Sequence, residues 1–164
     1  MNNSPHVRLL AGAMLLWSTA LHASAQLVIS EAKPSGDEWI EVRNQGNTSV
    51  DLAGFTLADD LEDASLWVVP SMTLDAQARV ILNAPFQLSA GELVTLRSPQ
   101  EDLVDALPIH PELPWGHSVG RPEESLTGWC MYDAPTPGQP NFGTCFSGIE
   151  PAPSLFPLSG MYDA

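Results

Sequence analysis

Gly116-His117-Ser118-Val119-Gly120 has the Gly-x-Ser-x-Gly spacing of a nucleophile elbow. That chemistry places the serine on a sharp strand-to-helix turn and needs an acid, then a histidine, later in the chain. No histidine comes after His117, so the general base is missing, and the flanking "HPELPW" and "RPEE" do not read as strand and helix. The motif is expected to be a turn that aims Arg121 back at the body of the fold. No catalytic residue is expected, because no nucleophile has a base to activate it. His110 and His117 share a proline-broken loop with Glu112. A metal site would need further ligands, so both histidines are expected to be exposed loop residues.

Asp59, Asp60, Glu62 and Asp63 crowd one loop. Carboxylates at this density suit Ca²⁺, which takes about 6–8 oxygen ligands. The spacing is not that of an EF-hand, which needs a mid-loop glycine and a closing glutamate. A solvated acidic loop is the expected state, weak Ca²⁺ binding is the alternative, and no other cofactor is expected. Trp39, Trp67, Trp115 and Trp129 are expected to pack in or beside the sheets, with a carbohydrate-stacking platform as the alternative. Trp39 is expected to be the exposed one, being opposite in phase to Ile40 and Val42. Arg43 shares that face, where it can pair with a neighbouring acid.

All of these residues lie downstream of an export segment. "MNNSPHVR" carries one cation, "LLAGAMLLWSTAL" is apolar but short, and Ala23-Ser24-Ala25 has the small-x-small cleavage pattern. Residues 1–25 are therefore read as a secretory signal peptide cleaved before Gln26. A transmembrane anchor would need about 20 apolar residues, and no membrane insertion is expected after cleavage. The product is expected to be secreted, extracellular or periplasmic. All 20 acidic residues lie beyond Ala25, against Lys33, Arg43, Arg79, Arg97 and Arg121. A surface so acidic repels phosphate backbones, so no nucleic-acid partner is expected. Cys130 and Cys145, in an oxidising destination, are expected to form one disulfide. The competing reading is two unpaired thiols, with Cys145 free for a partner chain.

Eight segments carry strand signals: 26–32, 37–44, 49–59, 65–70, 78–83, 92–98, 102–108 and 127–132. Ile40 and Val42 face one way and Glu41 and Arg43 the other. Val50 and Leu52 precede Gly54, and Phe55 and Leu57 come after it, so that glycine is expected to mark a bulge. Turn clusters such as "PSGD", "NQGN", "LDAQ" and "LSAG" separate the segments. No sustained helical stripe appears. Short strands at such spacing predict an all-β antiparallel sandwich. "DAPTPGQPNFGTC" holds three prolines that remove backbone donors. It is expected to be an extended strap leaving the domain, with few hydrogen bonds of its own. Residues 146–164 read as a proline-rich linker.

"LVISEAKPSGDEWIEVRNQGNTSVDLAGFTLAD" resembles the opening of a lamin tail domain of the bacterial secreted type. "WGHSVGR" and "APTPGQPN" are similar to that family's closing segments, here with Pro135 inserted between Ala134 and Thr136. The resemblance implies an immunoglobulin-like β-sandwich over 26–145, non-catalytic, with an interaction or spacer role beside other extracellular modules. It names no ligand, so the partner is an unspecified protein or glycan. "PSLFPLSGMYDA" resembles the start of a further sandwich module, and reads as a truncated one.

Overall fold

Period-2 alternation along residues 27–44 builds the centre of the molecule. In the computed structural model, residues 26–60, 66–123, 125 and 128–146 are described. The expected signal segment and all of the expected linker except Phe146 lie outside them. β1 (Leu27–Lys33) and β2 (Trp39–Asn44) pair antiparallel and turn Leu27, Ile29, Ala32, Ile40 and Val42 into the core. The alternation in β1 is offset once. The register shifts between Ile29 and Glu31, a bulge that sets Ser30 and Glu31 together against Glu41. Strict alternation from Ile29 would drive Glu31 into the apolar core and push Ala32 out. The extra residue returns Ala32 to the inside, and it lands both glutamates on the opposite face.

β7 (Arg79–Leu82) extends this sheet beyond β2, and β10 (Ser118–Gly120) and β11 (Cys130–Tyr132) extend it beyond β1. The order is β11-β10-β1-β2-β7, antiparallel throughout. A second sheet has the order β5-β4-β8-β9, from β4 (Thr56–Ala58), β5 (Trp67–Val68), β8 (Leu93–Arg97) and β9 (Leu103–Pro108). β3 (Val50–Asp51) and β6 (Thr73–Leu74) form a separate pair. No helix occurs among the described residues. Leu57, Val94, Leu96 and Leu107 of the second sheet join Ile29, Ile40 and Val42 of the first in one core. Fully burying such a side chain contributes about 1.5–3 kcal/mol each.

Two local expectations change. Gly54 does not mark a bulge within one strand: β3 and β4, on either side of it, belong to different sheets. Its φ of +79° turns the chain from one sheet to the other, and Asp51 Oδ1 accepts from the Ala53 N–H at 3.0 Å to start that turn. Register shifts occur instead between Ile29 and Glu31 in the five-stranded sheet and between Leu96 and Arg97 in the four-stranded one. Ser118 to Gly120 is likewise an interior strand and not a turn. Arg121, the next residue, does turn back. Its N–H donates to Ser30 O at 2.8 Å, and its guanidinium reaches Asp105 Oδ1 at 2.6 Å and Ala106 O at 3.0 Å.

Candidate functional site: two buried glutamates beneath a strap

Glu31 and Glu41 are register partners on β1 and β2, and both are completely buried. Their cover is the segment 133–146. Glu31 accepts from the Ser118 hydroxyl on one side. On the other, Glu31 Oε1 accepts from the Thr136 N–H at 3.2 Å and Oε2 from the Thr136 hydroxyl at 3.0 Å. Glu41 Oε1 accepts from Ser30 Oγ at 2.6 Å, and Glu41 Oε2 from the Gly138 N–H at 2.6 Å. Asn141 closes the row, donating to Ser30 O and Arg121 O, both at 2.8 Å. The strap was expected to make few hydrogen bonds. It makes them through the donors left between its prolines, and the acceptors are two carboxylates and two backbone carbonyls.

Gly120 is the floor that permits this approach. A Cβ there would lie 2.6 Å from Asn141 Nδ2 and 2.8 Å from Ser30 O. The electrostatics arise from burial. Loss of water pushes the Glu31 carboxyl above its ordinary range, against the hydrogen bonds from Ser118 and Thr136. Burial does the same to Glu41, opposed by Ser30, Gly138 and the Arg79 cation and reinforced by the Glu31 charge. The Tyr132 phenol is pushed up as well, by burial first and then by Glu31.

Cations finish the rim. Arg79 Nε lies 3.4 Å from Glu41 Oε1, and Arg79 Nη2 lies 2.5 Å from Glu123 Oε2. Arg43, the register partner of Arg79, reaches Glu123 Oε1 at 2.9 Å. Two like charges side by side on β2 and β7 are thus bridged by one acid. The expectation that Arg43 finds a neighbouring acid is met by a residue distant in sequence. At the far end of the strap, Cys130 and Cys145 form a disulfide with Cα atoms 5.0 Å apart. Closing a loop of this length contributes about 3 kcal/mol on the chain-entropy model. Phe146 then exchanges two backbone bonds with Met131, at 2.8 and 3.2 Å, and so pairs with the edge of β11.

The remaining candidates are scattered. Ser118 is completely buried and spent on Glu31, so it offers no accessible nucleophile. His110 is half-buried: its Nδ1 accepts from the Glu112 N–H at 3.1 Å, and its ring centroid lies 6.0 Å from that of Trp129. His117, also half-buried, has Nδ1 3.4 Å from Trp115 O. Neither is the freely exposed side chain expected. Asp59 and Asp60 end the described stretch before Glu62 and Asp63, which lie outside the described residues. Among the described residues no group of three or more His, Cys, Asp or Glu gathers as metal ligands.

Trp39 corrects another expectation. It is only 7% exposed, because the face opposite Ile40 and Val42 is not a solvent face. Trp67 and Trp129 pack against the core. Trp115 is the exposed one, at 81%. Its loop is pinned where the Gly116 N–H donates to Ser35 Oγ at 2.7 Å. Alternation could not find the glutamate site, since it treats the second face of a strand as wet. The available hint was Thr136, Gly138 and Asn141, small or polar residues spaced among prolines.

Two antiparallel sheets around a single core define an immunoglobulin-like β-sandwich. Residues 20–110 match the family model of the Lamin Tail Domain, and the chain belongs to that family. The match covers Glu31 and Glu41 but ends before β10, so Ser118, Gly120 and the strap lie beyond it. No curated protein matches the chain.

Proposed function

We propose that the chain is an exported, non-catalytic sandwich module with an interaction or spacer role, the N-terminal accessory part of a larger extracellular or surface protein. The observation that carries this reading is how the reactive groups are used. Ser118, Glu31 and Glu41 are spent on one another and on the strap, inside the fold. The disulfide supports an oxidising destination. Among the described residues no helix is long and apolar enough to cross a membrane. The test is to express the full chain in an exporting bacterium. The expected product begins at Gln26, has no free thiol and is not labelled by a serine-reactive fluorophosphonate. Retention of Met1 to Ala25 in the membrane fraction, or label on Ser118, overturns it.

Adhesion through a carbohydrate or Ca²⁺ is the second reading, favoured by the pinned and exposed Trp115. An indole presented in one orientation suits stacking on a sugar face, and a neutral glycan is not repelled by an acidic surface. Retardation of the protein in gels containing soluble polysaccharide, lost in Trp115→Ala, supports it. Equal mobility in every polysaccharide removes it. The Ca²⁺ arm rests on the loop of Asp59, Asp60, Glu62 and Asp63. It requires a rise in Tm with millimolar Ca²⁺, reversed by chelator.

A further inference from the structure

We propose that segment 133–146 is a thiol-controlled strap: reduction of Cys130–Cys145 releases it at neutral pH and uncovers the Glu31 and Glu41 carboxylates. The step is thiol–disulfide exchange with a dithiol reductant. One reductant thiolate attacks the Cys145 sulfur, the S–S bond breaks, and Cys130 leaves as a thiolate that takes a proton. The second reductant thiol resolves the mixed disulfide, which returns Cys145 as a thiol and leaves the reductant oxidised. Cys145 is exposed and Cys130 is buried, so the incoming thiolate approaches from the strap side.

Little else holds the strap down. From residue 133 to 146, Asn141 alone is buried and Pro135, Thr136 and Pro140 are half-buried, while Phe142 is 67% and Phe146 42% exposed. The segment therefore has no fully buried apolar side chain, and its attachment is mainly polar: Thr136 and Gly138 on the two glutamates, Asn141 on Ser30 O and Arg121 O, and Phe146 on Met131. Water replaces such bonds when the strap lifts, so each contributes little net. Ordering the residues that make them costs backbone entropy throughout. The cross-link tips this balance by keeping the lifted strap within reach.

Protons act on the same equilibrium. The groups facing Glu31 are Ser118 from β10, Thr136 from the strap, Tyr132 from β11 and Glu41 itself. Those facing Glu41 are Ser30 from β1, Gly138 from the strap and Arg79 from β7, with Glu123 and Arg43 behind. Closure takes both carboxylates out of water, so it favours their protonated forms. Below the ordinary carboxylate range both are neutral, and closure costs no charge burial. As pH rises through their raised values they ionise, and the uncovered, hydrated state gains. Reduction therefore opens the strap at pH 7 and leaves it closed near pH 4.

Amide hydrogen exchange on the full exported protein tests this, using dithiothreitol-reduced, oxidised and Cys145→Ser forms at both pH values. Protection factors remove the intrinsic pH effect. At pH 7 the Thr136 and Gly138 amides are expected to lose at least tenfold protection on reduction, and equally in Cys145→Ser, while Val42 and Leu96 keep theirs. At pH 4 the reduced strap retains its protection. Three outcomes overturn the proposal: unchanged Thr136 and Gly138 at pH 7, a parallel loss at Val42 and Leu96, or the same opening at both pH values.

Discussion

Asp105 holds Arg121 at 2.6 Å through Oδ1 while its Oδ2 accepts from the Ile29 N–H at 2.8 Å. Asp105 stands on β9 of the four-stranded sheet, Ile29 belongs to β1 of the five-stranded one, and Arg121 follows directly after its β10. On β1, β10 pairs with Glu31 and Ala32, past the bulge. Before the bulge, the Ile29 N–H turns to the other sheet instead. One carboxylate thus ties the sandwich together along that margin.

Asp105→Ala leaves the Ile29 N–H without its acceptor and takes the counter-charge from the Arg121 guanidinium, which is 12% exposed and keeps Ala106 O. Leaving a buried donor unmet costs about 1–3 kcal/mol, and more beside a charge. The expected result is a loss of that size in urea unfolding. Asp105→Asn, which keeps an acceptor for Ile29, should lose roughly half as much. Equal stability of all three proteins would falsify the clamp.

Gly120→Ala is expected to shift the strap without disturbing the core. The added methyl group meets Asn141 Nδ2 at 2.6 Å, which can move, and Ser30 O at 2.8 Å, which is backbone. Overpacking of this kind costs about 1–3 kcal/mol. In proton–nitrogen spectra the Thr136, Gly138 and Asn141 resonances should move while Val94 and Leu107 stay. The opposite pattern would place the strain in the core.

The sandwich was legible because its strands state their inward faces. Ile40 and Val42 alternate, Val94 and Leu96 alternate, and turn residues punctuate the gaps. The disulfide was legible from the expected oxidising destination and the presence of two cysteines. Strands β6 and β10 were missed because two or three residues carry too little periodicity, and β10 ends in glycine. Gly54 misled because a positive φ serves a bulge and a change of sheet equally. Trp39 and the two glutamates misled for a single reason: alternation tells which residues leave the core but not whether water or another segment covers them.

Trp115→Ala should leave stability within about 0.5 kcal/mol of wild type, since an exposed side chain has little to lose on truncation. The indole is 81% exposed, and a Cβ added at Gly36 would only reach ordinary contact distance, 3.7 Å, from its Cζ2. A Tm within about 2 °C of wild type is expected for a domain of this size. A large drop would show that Trp115 is a packing residue, and the stacking reading would lose its support.

Acid should stabilise the site rather than open it. Glu31 and Glu41 sit above their ordinary value of 4.5 in the folded protein, mainly because burial penalises the charge. Between that value and the raised ones the folded state binds more protons than the unfolded state, so stability falls as pH rises. Their favourable contribution is complete below 4.5 and is lost upward through the folded values. The double variant Glu31→Gln, Glu41→Gln cannot ionise there and removes this slope, while each amide still offers an acceptor to Thr136 or Gly138. Urea unfolding of both proteins from pH 4 to pH 8 measures the difference, which subtracts the background of a chain with formal net charge −14. Wild type is expected to lose stability relative to the double variant as pH rises above 4.5 and toward the raised folded values. Glu31→Ala should be worse than Glu31→Gln by about 1–3 kcal/mol at every pH, because it leaves the Ser118 and Thr136 donors unmet. A difference that grows in favour of wild type as pH rises would mean that hydrogen bonds and Arg79 outweigh burial at this site.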